Sequence, residues 1–118
     1  MNIELLRTNG FNVEEALSLC VDDEEIYAEV LDTALEEGRE KLVLFEELMT
    51  SDDMERYTIE AHGLKNAAKQ IGADELSELA KASEFDGKEG RIDQMKARHT
   101  LLMEKYRKVC DIVEEAIK

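Results

Sequence analysis

Two histidines, His62 and His99, and two cysteines, Cys20 and Cys110, are where chemistry would begin in this chain of 118 residues. An unperturbed imidazole titrates near ~6.5, so at neutral pH it offers a free nitrogen lone pair that can take a phosphoryl group. His62 stands in the segment AHGLKNAAKQIGA, where Lys65 follows three residues later and can pair its ammonium with phosphoryl oxygens. A charge-assisted contact of that kind contributes on the order of 1–3 kcal/mol, enough to orient a labile group without trapping it. His99, in HTLL, is followed at the same spacing by a leucine and has no such cation. The cysteines have neither CxxC nor metal-ligand spacing, which reads as two reduced core thiols. No metal site is expected. The residues three before the histidines are Ile59 and Lys96, not the glutamates of a metal-binding bundle. In FDGKEGRID, setting Gly90 at the turn glycine of a calcium loop puts Phe85 at the first ligand position and Lys96 at the last, so that stretch reads as a plain loop.

The elements that must position these residues are helical. Proline and tryptophan are absent, hydrophobic residues make up 43% of the chain and charged residues 37%, the balance of a folded leucine- and alanine-rich domain. After a short N-terminal segment, Asn12 and Glu15 have the spacing of a capping box that opens VEEALSLC. A second helix begins at Asp22 and Asp23. Its apolar positions Tyr27, Leu31, Ala34, Leu42, Phe45 and Met49 keep one rhythm through Gly38, predicting a single long helix with close packing or a kink at the glycine. TSDD at 50–53 breaks the pattern, and Asp52 with Glu55 offers a capping box for a third helix running to Gly72. A shorter helix from about Asp74 to Glu84 turns Leu76, Leu79 and Ala80 inward, and FDGKEG at 85–90 reads as a turn. The last helix starts near Arg91 on a stripe of Ile92, Met95, His99, Leu102, Tyr106, Val109, Val113 and Ile117, which makes His99 a packed, hydrogen-bonded core residue. The expected architecture is all-α: one domain over residues 1–118, an up-and-down antiparallel four-helix bundle with a short N-terminal helix capping one end.

His62 does not lie on the inward stripe of the third helix, which is Met54, Tyr57, Ala61, Leu64, Ala68 and Ile71. One position past Ala61 it is rotated by about 100°, onto an outward strip with Thr58, Lys65, Asn66 and Lys69. Between Glu60 and Asp74 there are two lysines and no acid, in a chain with 29 acidic and 15 basic residues. The small residues Gly63, Ala67 and Ala68 clear bulk around the imidazole so that another protein can approach it. Gly63 costs about 1 kcal/mol relative to alanine inside a helix, which calls for a functional reason.

The segment AHGLKNAAKQIGA resembles the signature of histidine-containing phosphotransfer (HPt) domains, matched by His62, Leu64, Lys65, Ala68, Ile71, Gly72 and Ala73, and the resemblance extends over essentially the whole chain from about Asn12. It implies that His62 is the phosphoacceptor, that it exchanges its phosphoryl group with an aspartate on a response-regulator receiver domain, and that Lys65 steadies the phosphate. Lys69 is added to the phosphoryl-binding set from helix geometry, and Thr58, Gly63, Asn66 and Ala67 to the partner interface. Asn66 stands where the family often has glycine or serine, which narrows the approach to the ring. No cofactor is expected on this chain, Mg²⁺ being expected on the receiver. A hybrid histidine kinase is a further expected partner. A phosphoryl carrier with no kinase or phosphatase site of its own is the favoured reading. The alternatives are a helical adaptor bundle without phosphotransfer and the phosphoacceptor segment of a chemotaxis-type histidine kinase. The chain carries no P-loop or glycine box for ATP.

A net charge of −14 works against binding to nucleic acid or to anionic lipid, and neither partner is expected. MNIELLRTNGF has no apolar signal core and no run approaches the roughly 20 residues of a membrane span, so a cytoplasmic monomer is expected.

Overall fold

The computed structural model describes residues 1–118, and the chain is entirely helical apart from short connections: α1 (Ile3–Thr8), α2 (Val13–Leu19), α3 (Glu24–Thr50), α4 (Met54–Gln70), α5 (Asp74–Lys88) and α6 (Ile92–Ile117). The long helices α3 to α6 form the expected antiparallel bundle. α3, 27 residues at about 1.5 Å rise each, spans the 40 Å length of the molecule. The inward stripe of α4 is buried as its periodicity predicts, from Met54 through Tyr57, Ala61, Leu64 and Ala68 to Ile71. Phe45 of α3 packs edge-on against Tyr57 at 5.0 Å and against Tyr106 at 6.3 Å, joining α3, α4 and α6 at the bundle centre. His99 is buried as expected; its Nδ1 pairs with the Tyr57 hydroxyl at 2.7 Å and its Nε2 with Glu46 at 3.1 Å. Cys20 and Cys110 are buried free thiols, and burial pushes the Cys110 thiol up to about 11.

α3 runs unbroken through Gly38, where an added Cβ would fall 2.7 Å from Cys110 Sγ and 3.2 Å from Tyr106 Cε1, so close packing is the reason for the glycine. At its end Leu48 is the buried residue and Met49 is only half-buried, the helical phase having advanced by one position from Phe45. The N-terminal end holds two short helices instead of one. Asn2 caps α1 by accepting from Leu5 N at 3.0 Å and donates its own N–H to Ala116 O at 2.7 Å, while Asn12 donates N–H to Gly72 O at 2.8 Å. Both helices thereby close the bundle end where α4 gives way to α5 and α6 stops. Gly72, at φ +85°, makes the left-handed turn after α4, and Tyr27 ties that turn to α3 by donating its hydroxyl to Ile71 O at 2.8 Å.

Two boundaries differ from the sequence reading. The N-cap of α4 is Asp53, which accepts from Arg56 N at 3.2 Å, while Asp52 takes a left-handed conformation at φ +59° and pairs with Lys96 at 2.7 Å. Either aspartate suits the cap chemically, and the turn geometry selects the second. α5 extends through FDGK to Lys88, leaving only Glu89 to Arg91 as the connection. Gly87 reads as a turn signal but serves the contact between helices: a Cβ there would lie 2.0 Å from Thr58 Oγ1. Gly63 is the opposite case, with nothing within 4 Å of an added Cβ. The same substitution should therefore act with opposite signs. In urea unfolding, Gly63→Ala should raise stability by about 0.5–1 kcal/mol, and Gly87→Ala should lower it by about 1–3 kcal/mol, each as a midpoint shift at constant m.

Candidate functional site

α5 presents small residues to α4. Ser77, Ala80, Ser83 and Gly87 follow a 3-3-4 spacing that keeps them on one side of the helix, and the first three are buried. Ser77 donates its hydroxyl to Lys65 O at 2.9 Å, and Gly87 meets Thr58, so the two helices lie close along their length. Glu84 sits within this face and is only 4% exposed. A buried carboxylate must be paired to be tolerated. One oxygen accepts from Lys65 Nζ at 2.8 Å; the other is hydrogen-bonded to His62 Nδ1 and lies 3.2 Å from Lys88 Nζ. Burial alone would raise the Glu84 pKa, but the bonds from Lys65, His62 and Lys88 outweigh it and hold the carboxyl down to about 2.

That protonation state fixes the histidine. A carboxylate only accepts hydrogen bonds, so Nδ1 of His62 carries a proton and donates it, and in the neutral imidazole the lone pair is then on Nε2. The imidazole is about half exposed, with a side-chain accessibility of 54%. Its Nε2 edge lies 3.3 Å from Asn66 Nδ2. An ionised buried acid holding the far nitrogen of a histidine whose near nitrogen faces outward is the arrangement that orients an imidazole and strengthens it as a nucleophile or base.

The structure thus brings His62, Lys65 and Asn66 together, leaves Gly63 open beside them and keeps Ala67 half-buried. It draws two other residues elsewhere. Lys69 pairs with Asp74 at 3.4 Å and Glu15 at 3.5 Å, toward the α4–α5 turn. Thr58, read from the sequence as part of the outward strip, is half-buried against Gly87 and donates its hydroxyl to Met54 O at 2.7 Å, because α5 covers that side of α4. Glu84 and Lys88 are the site residues that the sequence reading missed. Their signal is the phase of α5: continuing Leu76 and Ala80 by four reaches Glu84, and by four again Lys88. No group of three or more His, Cys, Asp or Glu side chains is arranged to hold a metal ion, and no helix is long and apolar enough to cross a membrane.

The family model described as the Hpt domain matches residues 29–114, which span most of α3 and all of α4 and α5, and α6 to near its end. Comparison with curated proteins and with solved structures finds no match.

Because the folded-state pKa of Glu84 lies below its ordinary value of 4.5, its contribution to stability is present above that value and is lost as pH falls toward about 2. The contribution is on the order of 3 kcal/mol. Between pH 5 and pH 2, urea unfolding should show the wild type losing that much more stability than Glu84→Gln. Parallel losses in the two proteins would mean that the buried carboxylate is not held by these donors.

Proposed function

The chain belongs to the Hpt domain family, whose members are phosphocarrier modules of phosphorelay signalling that work with receiver domains and kinases, and we propose that His62 is its phosphoacceptor, with Glu84 orienting the ring. The observation that carries this reading is the hydrogen bond from His62 Nδ1 to the buried Glu84, which leaves the outward Nε2 as the nucleophile. The Nε2 lone pair attacks the phosphorus of an aspartyl phosphate on a receiver domain. As the N–P bond forms, the P–O bond to the receiver aspartate breaks and its electron pair leaves on the carboxylate. No proton has to move, since Nδ1 keeps its hydrogen throughout. The ring becomes a phosphoimidazolium whose positive charge faces the Glu84 carboxylate at hydrogen-bond contact, a pairing favoured by several-fold lower screening in a half-buried site than in water. Return transfer is the same step reversed, with neutral imidazole as leaving group. The metal chemistry of the exchange, Mg²⁺ on the aspartate side, belongs to the receiver, and no cofactor is needed on this chain.

Lys65 supports the transferred group. Its ammonium is anchored on Glu84 and only 26% exposed, so it sits at the base of the site and shares its charge with phosphoryl oxygens as they arrive. Lys88, 64% exposed, supplies a second ammonium from α5. Lys69, held by Asp74 and Glu15, contributes to the local potential and would leave those partners to reach the phosphate directly. Gly63 and Ala67 form the open edge at which a receiver approaches. We place the carrier in the cytoplasm, acting as a monomer, consistent with a strongly acidic surface and without partners among nucleic acids or membranes.

Incubation with a labelled phosphorylated receiver should charge the wild type and His99→Gln but not His62→Gln, and phosphorus NMR should show an N-phosphohistidine. Equal charging of the two single variants would remove His62 from the role, and a receiver that binds without ever producing phosphohistidine would favour an adaptor. Gly63→Ala keeps the imidazole and its partners. It should slow transfer from the receiver by roughly tenfold, about 1.4 kcal/mol of added steric cost at the interface, while leaving charging by a small phosphoryl donor unchanged.

A further inference from the structure

The two nitrogens of His62 have different neighbours, and only one of them is accounted for by Glu84. Nε2 faces the carboxamide of Asn66, one helical turn further on, with Nδ2 at 3.3 Å. Since Nδ1 carries the proton, Nε2 is an acceptor, and the amide N–H is the end of the carboxamide that fits against it. Asn66 is exposed, and its side chain makes no other hydrogen bond within the protein. At 3.3 Å the contact is at the long, weak end of the hydrogen-bond range. The amide therefore rests on the nucleophilic nitrogen and is held there by nothing else.

We propose that Asn66 is a gate on loading and a clamp on the loaded group, a role that rests on His62 being the phosphoacceptor. In the resting state its N–H covers the Nε2 lone pair, and the side chain must swing aside before phosphorus can approach in line. Once the N–P bond exists the lone pair is gone, and a phosphoryl oxygen lies two bonds beyond the former acceptor, through the phosphorus. The same N–H turns to donate to that oxygen. No covalent bond to Asn66 forms or breaks; one hydrogen bond to nitrogen is exchanged for one to a charged oxygen, which is the stronger of the two. Asn66 consequently lowers the rate at which His62 is charged and lengthens the life of the phosphohistidine, so the carrier holds its group between encounters.

The test uses the full chain with phosphoramidate as the phosphoryl donor and no receiver, so that effects on partner docking are excluded. Loading and spontaneous loss are followed by phosphorus NMR, and the ¹⁵N shift of His62 Nε2 is recorded before donor is added. Asn66→Ala should load roughly two- to tenfold faster, the range that one neutral hydrogen bond commands, and should lose its phosphoryl group faster by at least that factor, since the bond then lost is to a charged oxygen. Its Nε2 shift should move toward that of an unbonded acceptor nitrogen. Asn66→Asp, which cannot donate and sets a negative charge beside the phosphoryl oxygens, should load more slowly than wild type and also lose the group faster. Loading and lifetime in Asn66→Ala that both match wild type, with an unchanged Nε2 shift, overturn the proposal, as does a change in one rate without the other. Those results leave the His62 reading intact provided the wild type loads and His62→Gln does not. A wild type that never loads, or a His62→Gln variant that loads equally well, removes the phosphoacceptor reading and the role of Asn66 with it.

Discussion

Glu84 is a charge placed where water scarcely reaches, and an unpaired carboxylate in such a position would cost several kcal/mol. Its tolerance depends on three donors that arrive from two helices: Lys65 and His62 from α4, and Lys88 from its own helix one turn on. The requirement propagates outward. For Glu84 to reach His62, α5 must press against α4, and it does so on Ser77, Ala80 and Gly87, with the glycine seated on Thr58. For His62 to answer as a donor, its ring must keep the proton on Nδ1, which sends the lone pair outward. Close helix packing and the orientation of the His62 ring are thus two consequences of satisfying one buried carboxylate. The family match covers both helices that build this contact.

The electrostatics of the site run against those of the whole molecule. A net charge of −14 repels a dianionic phosphoryl group and any acidic partner at long range. Screening limits that field to about 8 Å at physiological ionic strength, so the nearest charges govern the final approach. There Lys65 and Lys88 together exceed Glu84 by one positive charge, a small surplus by design of the same contact: each ammonium that could grip the phosphate is already shared with the carboxylate. A carrier needs an attraction that both arrival and departure can tolerate. On the proposed reading, two unpaired lysines would bind the group more tightly and raise the barrier to passing it on, whereas lysines held by Glu84 would give up part of an existing interaction to contact it.

What the sequence made legible follows from the range over which each signal acts. The inward stripe of α4 is a local, repeated pattern, and every member of it is buried; the outward phase of His62 and the nearness of Lys65 follow from the same geometry. Glu84 is 22 residues from His62 on another helix, and no periodicity within α4 points to it. Its own helix hid it further, because FDGK carries a turn signal that the contact with Thr58 overrides, and ending α5 at Glu84 removes the phase that would mark the residue as inward. The half-burial of Thr58 escaped the pattern for the complementary reason: its angle on α4 is outward, but outward there faces α5. The choice between Asp52 and Asp53 as cap rests on one backbone angle, and α1, with six residues, is too short for any period to show.

The site lies near the middle of α4, and that placement bears on what the carrier can do. Helix ends fray, and local opening is cheapest there. His62 is eight residues from either end of α4, whose termini are fixed by the Asp53 cap and by the turn at Gly72 that Tyr27 and Asn12 hold. The backbone beneath the imidazole is therefore held away from fraying ends, and Glu84 fixes the ring on it. The groups left free to adjust are side chains at the rim, Asn66 and Lys88, both exposed. On the proposed reading, a module that meets a donor and an acceptor in turn would have to present each with the same nucleophile geometry, and the change between empty and loaded states would fall to those rim side chains.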